Sequence, residues 1–396
     1  MDNFFDQTAE QKSILETVRR FVEDEVTPRS AAQDALQDPE DCFSWEIIEK
    51  ADALGIRTLT LDEKWGGLGM DALTASMVIE ELTKGDLGIG ITLGQTMKLS
   101  QMYQDVLNEE QSERVLPAFA KDPRGVLSIA FTEPDNGSDW VLGYPTEFRT
   151  NAVKTDGGWI VNGMKHFISN ANRSSHYVFF AQTEKGKPLT EGSTCFLLER
   201  DRPGFSIGRV HDKMGERLAN NAEMIFQDCF LPDENVVGDV GGGHKVLGGS
   251  KARRFSNPYA ATMVLGVSVA LYDKAVAWAK VRIQGGKPLI EHSSVREKLA
   301  EMRMLIDVSR TYIHRAIWQG MHQDTDWDNT LSTFPKVMAS QSAWKIATWC
   351  LEIHGGHGYM KEAGVEKLVR DAAAYLHSDG VNRTLYLKAA NFLFKD

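Results

Sequence analysis

The sequence has a deficit of positive charge and little cysteine. Its 396 residues include 44 Lys and Arg against 55 Asp and Glu, which gives a net charge of −11. Because nucleic-acid phosphates are bound by clustered Lys and Arg, this balance argues against a nucleic-acid partner. Cys42, Cys195, Cys229 and Cys350 are far apart and show no C-x-x-C metal spacing, so we expect reduced thiols.

Long apolar runs are also missing. No stretch approaches about 18 uninterrupted apolar residues, so no membrane-spanning helix is predicted. The first residues, MDNFFDQTAEQ, have neither the basic and apolar regions of an export signal nor the arginine-rich character of a transit peptide. With no internal repeat, and with 42% hydrophobic and 25% charged residues, the chain is expected to be a cytoplasmic globular enzyme.

The spacing of the apolar residues divides the chain into three parts. In residues 1–123 they recur every three or four positions, as in AEQKSILETVRRFVEDEVTP, where Pro28 is predicted to end the helix. Residues 124–240 hold short β-branched and aromatic runs separated by turns, VLSIAFTE, GGWIVNGMKHFIS, SHYVFFAQT, STCFLLER and AEMIFQDCFL, which favour an antiparallel sandwich or barrel. Residues 241–396 return to long helical patterns typical of a bundle.

Several local motifs occur in a specific order along these three parts. They are LSIAFTEPDNGSDW, GWIVNGMKHFISNA, HDKMGERLANNAEMIFQDCFLPDENVVG and EIHGGHGYMKEAGVEKLVRDAAAYL. Together they resemble the acyl-CoA dehydrogenase family over nearly the whole chain. The resemblance implies an N-terminal helical domain, a middle antiparallel β-barrel or sandwich and a C-terminal four-helix bundle, assembled as a homotetramer or a dimer. It also implies FAD, bound between the domains and reaching a neighbouring subunit.

The motif AFTEPDNGSD is the first candidate for contact with FAD. The resemblance implies that Phe131, Thr132 and Gly137 bind the cofactor and that Ser138 binds the substrate. A threonine hydroxyl can donate to and accept from a flavin ring edge, and a glycine allows close backbone approach. The alternative is a strand that ends in an ordinary β-turn.

The motif KHFISN supplies the second candidate pair. Similar proteins often have Trp-Ile-Thr where this chain has Phe167, Ile168 and Ser169. The resemblance implies that Phe167 stacks on the flavin and that Ser169 keeps the hydroxyl of the usual threonine. A core phenylalanine is the alternative for Phe167.

The remaining FAD candidates lie in the C-terminal part. The resemblance implies that Arg282 binds the FAD pyrophosphate of an adjacent subunit, for which a guanidinium is suited. It assigns Glu352, Gly355 and Gly356 to the same cofactor, although the family usually has Gln where this chain has Glu352, and an aromatic residue where it has Gly285. A surface arginine and a helix stop are the alternatives.

The stretch YLHSDGVNRT contains the candidate catalytic residue. The resemblance places Asp379 at the family's catalytic glutamate, which removes the α-proton of an acyl-CoA while a hydride leaves the β-carbon for flavin N5. It assigns Gly380 to the substrate and Val381 to the cofactor. Aspartate is shorter than glutamate by about 1.5 Å, one C–C bond, so a bulky, branched or cyclic acyl group is a hypothesis for this pocket. Asp379 as a simple turn residue is the alternative.

Other candidates for the base are weaker. In GGSKARRFSNPYAA, where some family members have a glutamate, this chain has Arg253 and Arg254. Arginines suit CoA phosphates or a substrate carboxylate, so Arg254 is a predicted substrate contact, with a solvated basic patch as the alternative. Asp86, within GDLG, is interpreted as a turn residue.

Two classes of function stay open from the sequence. The first is FAD-dependent α,β-dehydrogenation of an acyl-CoA, with an electron-transfer flavoprotein as the electron acceptor. The alternative is a flavin-dependent oxygenase or oxidase, or a non-redox CoA-thioester lyase, on the same fold. The residues do not identify the acyl group, and a carrier-protein thioester could replace CoA.

Overall fold

The computed structural model describes residues 7–142, 144–323 and 327–394. Its N-terminal part is helical, as predicted. The helices are α1 (Ala9–Phe21), α2 (Thr27–Asp34), α3 (Trp45–Ala53), α4 (Ala72–Gly85), α5 (Leu87–Val106) and α6 (Glu109–Lys121).

The first helix begins with a capping box and does not end where the sequence predicted. The Thr8 hydroxyl accepts from the Gln11 N–H, and the Gln11 side chain accepts from the Thr8 N–H. The prediction that Pro28 ends this helix is wrong. A π-helical turn, Val22–Val26, leads directly into α2, in whose first turn Pro28 lies. The helical path therefore continues past Pro28, with the π-helical turn directly before α2.

The middle part is a mixed β-sheet. Within the described residues its path is β6-β7-β3-β2-β4-β5-β8, with β1 paired to β4. Most neighbours are antiparallel as predicted, but β1 and β2 each pair with β4 in parallel. The largely unburied strands β2 and β6 were not predicted. The elements are β1 (Leu127–Ala130), α7 (Asp139–Leu142), β2 (Asn151–Thr155), β3 (Gly158–Ser169), β4 (His176–Gln182), α8 (Leu189–Gly192), β5 (Ser193–Glu199), β6 (Phe205–Val210), β7 (Asn221–Pro232) and β8 (Val236–Val237).

The C-terminal part is a helical bundle. Helices α10, α11, α12 and α13 pack on one another, and α14 packs on α12 and α7. A short hairpin of β9 and β10 joins α10 to α11. The elements are α9 (Gly243–Gly249), α10 (Arg253–Val281), β9 (Ile283–Gln284), β10 (Lys287–Pro288), α11 (Ser293–His322), α12 (Phe334–His354), α13 (Val365–Ala374) and α14 (Asn382–Leu393).

The N-terminal and C-terminal helices share one hydrophobic core. Helix α4 packs along α10, where the hydroxyls of Ser76 and Thr262 lie 2.8 Å apart. At Gly266 an added Cβ would meet the Thr83 Oγ1 at 2.1 Å, so glycine is required for this close approach. The predicted domain boundaries near residues 123 and 240 therefore do not separate parts with independent hydrophobic cores. As boundaries between domains they remain a prediction.

Helix α10 is the core element of the bundle. In the described part of the chain it is the one helix that is long and apolar enough to cross a membrane, but 61% of its apolar 18-residue stretch is buried inside the fold. Such burial is expected of a central core helix. The four cysteines are all buried and free, as predicted for reduced thiols.

Candidate active site

Asp379 lies in a tight turn between α13 and α14. Asp379 has φ of 52° and Gly380 has φ of 97°, so both occupy the left-handed region. Aspartate tolerates this region better than most side chains, and glycine adopts it freely. The Asp379 side chain keeps 22% of its surface exposed. The residue is thus a turn residue whose carboxylate is partly exposed.

Lys336 holds this turn in place from α12. Its fully buried ammonium donates to the Gly380 carbonyl at 2.7 Å and to the Asn382 Oδ1 at 2.9 Å. Asn382 also bonds the Ser340 hydroxyl, so the start of α14 is fixed on α12. Burial lowers the pKa of Lys336 to about 8, against the opposing charge of Asp379.

Lys98 faces the candidate base from α5. Its Nζ lies 3.6 Å from the Asp379 Oδ1, and its side chain is only 9% exposed. The pair is therefore held in a largely dry environment. Sequence reasoning missed this residue, although a lysine inside the apolar stretch TMKLS was a signal of a buried partner.

Glu216 is a second carboxyl close to the candidate base. It lies in the loop after β6, has φ of 52°, and is 8% exposed. Its Oε2 accepts from Lys213 at 3.1 Å, whereas its buried Oε1 finds no hydrogen-bond partner among the described residues. Burial raises the pKa of Glu216; Lys213 opposes this, and the charges of Asp371 and Asp379 add to it. The sequence motif KMGERLANN contained this residue, but no pattern distinguished it.

A buried ionic cluster fixes the elements behind this site. The Lys367 Nζ lies 2.9 Å from Asp86 and 2.7 Å from Asp371, and Asp371 accepts from the Glu216 N–H at 2.8 Å. Asp86 also caps α5 through the Ile89 N–H. Burial raises the pKa of Asp371, whereas Lys367 outweighs burial at Asp86 and lowers its pKa. Asp86 therefore ties the start of α5 to α13, consistent with its interpretation as a turn residue.

The predicted flavin face lies at the end of β1 and on β3. The Thr132 carbonyl accepts from the His166 N–H at 2.7 Å, and the Thr132 hydroxyl makes no hydrogen bond within the described residues. Behind it, the buried Lys165 Nζ donates to Glu133 at 2.7 Å and to the Phe131 carbonyl at 3.0 Å. The Phe131 ring stacks on Phe180, so this side chain packs inward.

Phe167 and Ser169 are brought together by one amide. The Asn221 Nδ2 donates to the Phe167 carbonyl at 3.0 Å and to the Ser169 Oγ at 3.1 Å. Phe167 has φ of 58° and its side chain is 58% exposed. A bulky residue in the left-handed region is strained, and a large exposed ring is unusual, so both features indicate a functional position.

The glycine-containing loop after β1 leads into a short helix that packs on α14. Helix α7, which follows Gly137 and Ser138 directly, packs against α14, whose N-cap is Val381. A Cβ added at Gly137 would have no heavy atom within 4 Å, so the backbone there faces open space. The loop that carries Gly137 and Ser138 is thus joined through α7 to the helix that follows the Asp379–Gly380 turn.

The other FAD candidates lie at the opposite end of the bundle. Arg282 follows α10, and Glu352, Gly355 and Gly356 end α12, beside a cavity of about 430 Å³. Glu352 is paired to Lys298 at 2.5 Å. Positions 336 and 352 on α12 are roughly 24 Å apart at the helical rise of about 1.5 Å per residue. One chain therefore carries two separate groups of candidate FAD residues. This is the arrangement expected if Arg282 binds the FAD of a neighbouring subunit.

Arg254 is not directed at the Asp379 turn. Its guanidinium donates to the carbonyls of Gly320 at 3.2 Å and Gln323 at 3.0 Å, at the C-terminus of α11, and stacks on Trp327. A cation at a helix C-terminus stabilises the helix dipole. The substrate contact of Arg254 therefore stays a prediction.

Comparison with known proteins shows which protein family this chain matches. Residues 8–122, 128–229 and 255–392 match the family models described as the N-terminal, middle and C-terminal domains of acyl-CoA dehydrogenase. The short-chain specific acyl-CoA dehydrogenase of Megasphaera elsdenii is 31% identical over 99% of this chain and 100% of its own. The structure of butyryl-CoA dehydrogenase from Megasphaera elsdenii covers 100% of both chains at 30% identity, with a TM-score of 0.90. A chain in a structure of the electron transferring flavoprotein of Acidaminococcus fermentans covers 100% of both at 29% identity, with a TM-score of 0.89.

Proposed function

The chain belongs to the acyl-CoA dehydrogenase family of FAD-dependent oxidoreductases, and on that premise we propose that Asp379 is the base that removes the α-proton of its acyl-CoA substrate. The observation that carries this proposal is the geometry of the turn. Asp379 has left-handed backbone, and the buried Lys336 anchors the next residue of the turn through the Gly380 carbonyl. The Asp379 carboxylate faces Lys98 at 3.6 Å and remains partly exposed.

The residues present fit FAD. Added Cβ atoms at Gly137, Gly355 and Gly356 would meet no heavy atom within 4 Å, so flat groups can approach the backbone there. Phe167 offers an exposed ring for stacking, and the Thr132 hydroxyl is available to a ring edge. We propose that these side chains, with Ser169 and Val381, hold the flavin, and that Arg282, Glu352 and the two C-terminal glycines hold the phosphates and adenosine of a neighbouring subunit's FAD.

The proposed chemistry uses the carboxylate and the backbone of one turn. The Asp379 Oδ takes the α-proton, and the negative charge that develops on the thioester oxygen needs donors aimed at it. Among the described residues the Asp379 N–H donates no hydrogen bond, so it is available for that oxygen. Bound FAD would supply the acceptor for the hydride that leaves the β-carbon. Ser138 and Gly380 would position the thioester.

The short reach of aspartate supports an unusual acyl group. A carboxylate withdrawn by about one C–C bond, 1.5 Å, must meet an α-carbon that comes closer to the turn. A bulky, branched or cyclic acyl group would bring the α-carbon there. The Lys98 ammonium, 3.6 Å from Asp379, adds a positive charge beside the proposed site of the acyl group.

The test is anaerobic titration of the holoenzyme with straight, branched, cyclic and aryl-substituted acyl-CoAs, followed by flavin bleaching. We expect one class to bleach the wild type and Asp379→Asn to abolish bleaching while retaining FAD. Asp228→Asn is the matched control, because Asp228 also has a left-handed backbone, with φ of 48°, but hydrogen-bonds Asn162 across the sheet. Normal bleaching of Asp379→Asn would refute the proposal. Bleaching by no acyl-CoA would instead favour an oxygenase, an oxidase or a CoA-thioester lyase.

The assembly and the electron acceptor are further parts of the proposal. We propose an electron-transfer flavoprotein as the acceptor, supported by the similarity to a chain solved with the electron transferring flavoprotein of Acidaminococcus fermentans. The separation of the two groups of FAD candidates supports an oligomer, for which a homotetramer is our expectation. A cytoplasmic location remains a prediction. Size-exclusion chromatography with light scattering, and reduction of purified electron-transfer flavoprotein, would test the first two.

A further inference from the structure

Two histidines and a glutamate cluster on three adjacent strands of the β-sheet. His166 lies on β3, Glu223 on β7, and His211 directly after β6, where its N–H donates to the Asn221 carbonyl at 2.8 Å. These strands are neighbours in the order β6-β7-β3. Side chains on adjacent strands of one sheet are held by a rigid scaffold, which suits a binding site.

The strand pairing around this cluster is irregular in a way that brings the side chains together. The pairing of β3 with β7 shifts between Lys165 and Ile168, so that His166 and Phe167 both lie opposite Glu223. This is a β-bulge, which redirects side chains at functional positions. The carboxylate is oriented in turn, because its Oε2 accepts from the Arg209 N–H at 3.0 Å.

The distances within the cluster suit a metal ion. The His166 Nε2 lies 3.4 Å from the Glu223 Oε1, and one potential ligand atom from each of the three residues lies within 4.8 Å of the others. Two ligands of a tetrahedral zinc ion at bonds of about 2.1 Å are about 3.4 Å apart. The pair of His166 and Glu223 already has this spacing. The side chains of His166 and Glu223 are 20% and 19% exposed, so an ion could enter from solvent.

The ring nitrogens are not satisfied by the protein. Among the described residues, the His211 Nε2 is buried without a hydrogen-bond partner, and so is the His166 Nδ1, the ring nitrogen other than the one that approaches Glu223. Buried polar atoms in this state cost stability unless a ligand or a water satisfies them. Edge-to-face packing of the two rings does not satisfy these nitrogens.

We propose that His166, His211 and Glu223 form a binding site for a divalent zinc-class cation, with one coordination position open to solvent. Both imidazoles pack on the Phe167 ring, at centroid distances of 4.0 Å and 4.7 Å. An ion that fixes the two imidazoles therefore also fixes Phe167. This second part rests on the proposed function, in which Phe167 stacks on the flavin.

The test is Zn²⁺ binding to tag-free, chelator-treated holoenzyme by isothermal titration calorimetry. We expect one Zn²⁺ per chain and a rise in Tm, with the affinity weakened at least about tenfold in His166→Gln, His211→Gln and Glu223→Gln. His322→Gln is the matched control, because His322 is an exposed histidine whose Nδ1 bonds the Trp318 carbonyl within its own helix. Circular dichroism would show that each variant is folded, and Glu223→Gln preserves side-chain volume.

Two results would overturn the site. One is wild-type protein that shows no saturable Zn²⁺ binding in the micromolar range. The other is a folded His211→Gln variant that binds Zn²⁺ as tightly as the wild type. The flavin link is tested separately: Zn²⁺ should change the visible absorption of bound FAD in the wild type but not in His211→Gln. Binding without an absorption change would retain the metal site and refute only the coupling to Phe167.

Discussion

The substitution Lys336→Met should distinguish the effect of the turn's position on catalysis from the effect of Lys336 on the stability of the fold. The substitution replaces a fully buried ammonium by a thioether of similar length and removes the donors to the Gly380 carbonyl and the Asn382 Oδ1. The turn that carries Asp379 then loses its anchor on α12. Methionine fills the space, so the core is not opened.

The expected effect on stability is small, because two contributions oppose each other. Each hydrogen bond from a charged donor contributes about 1.5–3 kcal/mol, so the two together contribute about 3–6 kcal/mol. A lysine whose pKa falls from 10.5 to about 8 carries a burial cost of about 3 kcal/mol. We therefore expect Lys336→Met to lower the free energy of unfolding by only about 0–3 kcal/mol.

The expected effect on catalysis is much larger. A displacement of about 1 Å in a catalytic group can cost about a hundredfold in rate. Stopped-flow measurement of flavin reduction by the acyl-CoA identified in the substrate panel would give the rate, and urea unfolding would give the stability. Lys388→Met is the control, because burial also lowers the pKa of Lys388 to about 8, but its charge faces Arg253 rather than the turn. The control should reduce its flavin at the wild-type rate.

One result would refute this reasoning. If Lys336→Met reduces its flavin within about threefold of the wild-type rate, less than about 1 kcal/mol of the barrier depends on the anchor. The turn would then hold its conformation without Lys336. The left-handed backbone of Asp379 and Gly380 alone would be sufficient.

Three further predictions concern the same elements. Lys165→Met leaves Glu133 buried without its cation, so the free energy of unfolding from urea titration should fall by about 3–5 kcal/mol, and an unchanged midpoint would contradict this. Asn221→Ala removes the donor to the Phe167 carbonyl, so FAD should bind about tenfold more weakly by ultrafiltration, and equal retention would refute the link. In the unfolded state Lys336 keeps its proton up to about pH 10.5, whereas in the native state it loses the proton near pH 8. The free-energy cost of burying the charged ammonium is therefore fully present below pH 8 and disappears as the pH rises towards 10.5. Relative to Lys336→Met, the free energy of unfolding of the wild type should therefore rise by about 1.4 kcal/mol per pH unit over that interval. Urea unfolding of both proteins at several pH values measures this, and parallel curves of unfolding free energy against pH would contradict the burial cost.

The sequence predicted the order of helices, sheet and helices because apolar spacing follows secondary structure directly. It missed β2, since NAVKT exposes most of its side chains and is held by pairing with β3 rather than by burial. It was wrong at Pro28, because the π-helical turn before α2 depends on packing and not on local propensity. The Asp379–Gly380 turn was evident from the dipeptide itself.

The partners of the candidate base could not be read from the sequence. Lys98 and Asp379 are 281 positions apart by number, and only the packing of α5 against the bundle brings them to 3.6 Å. Lysines on helices are usually exposed, and even the apolar neighbours of Lys98 do not indicate which residue it faces. The burial of Glu216 could not be predicted either, because it depends on the long-range hydrogen bond from the Glu216 N–H, in the loop after β6, to Asp371.

The shared helical core has a consequence for synthesis of the chain. Ser76 on α4 meets Thr262 on α10 across 186 residues. At a translation rate of about 5–20 residues per second, the apolar face of α4 waits about 10–40 s before its partner leaves the ribosome. Long-range contacts of this kind also slow folding. The nascent N-terminal helices are therefore expected to need protection by chaperones, and a fragment that stops after α6 should aggregate rather than fold.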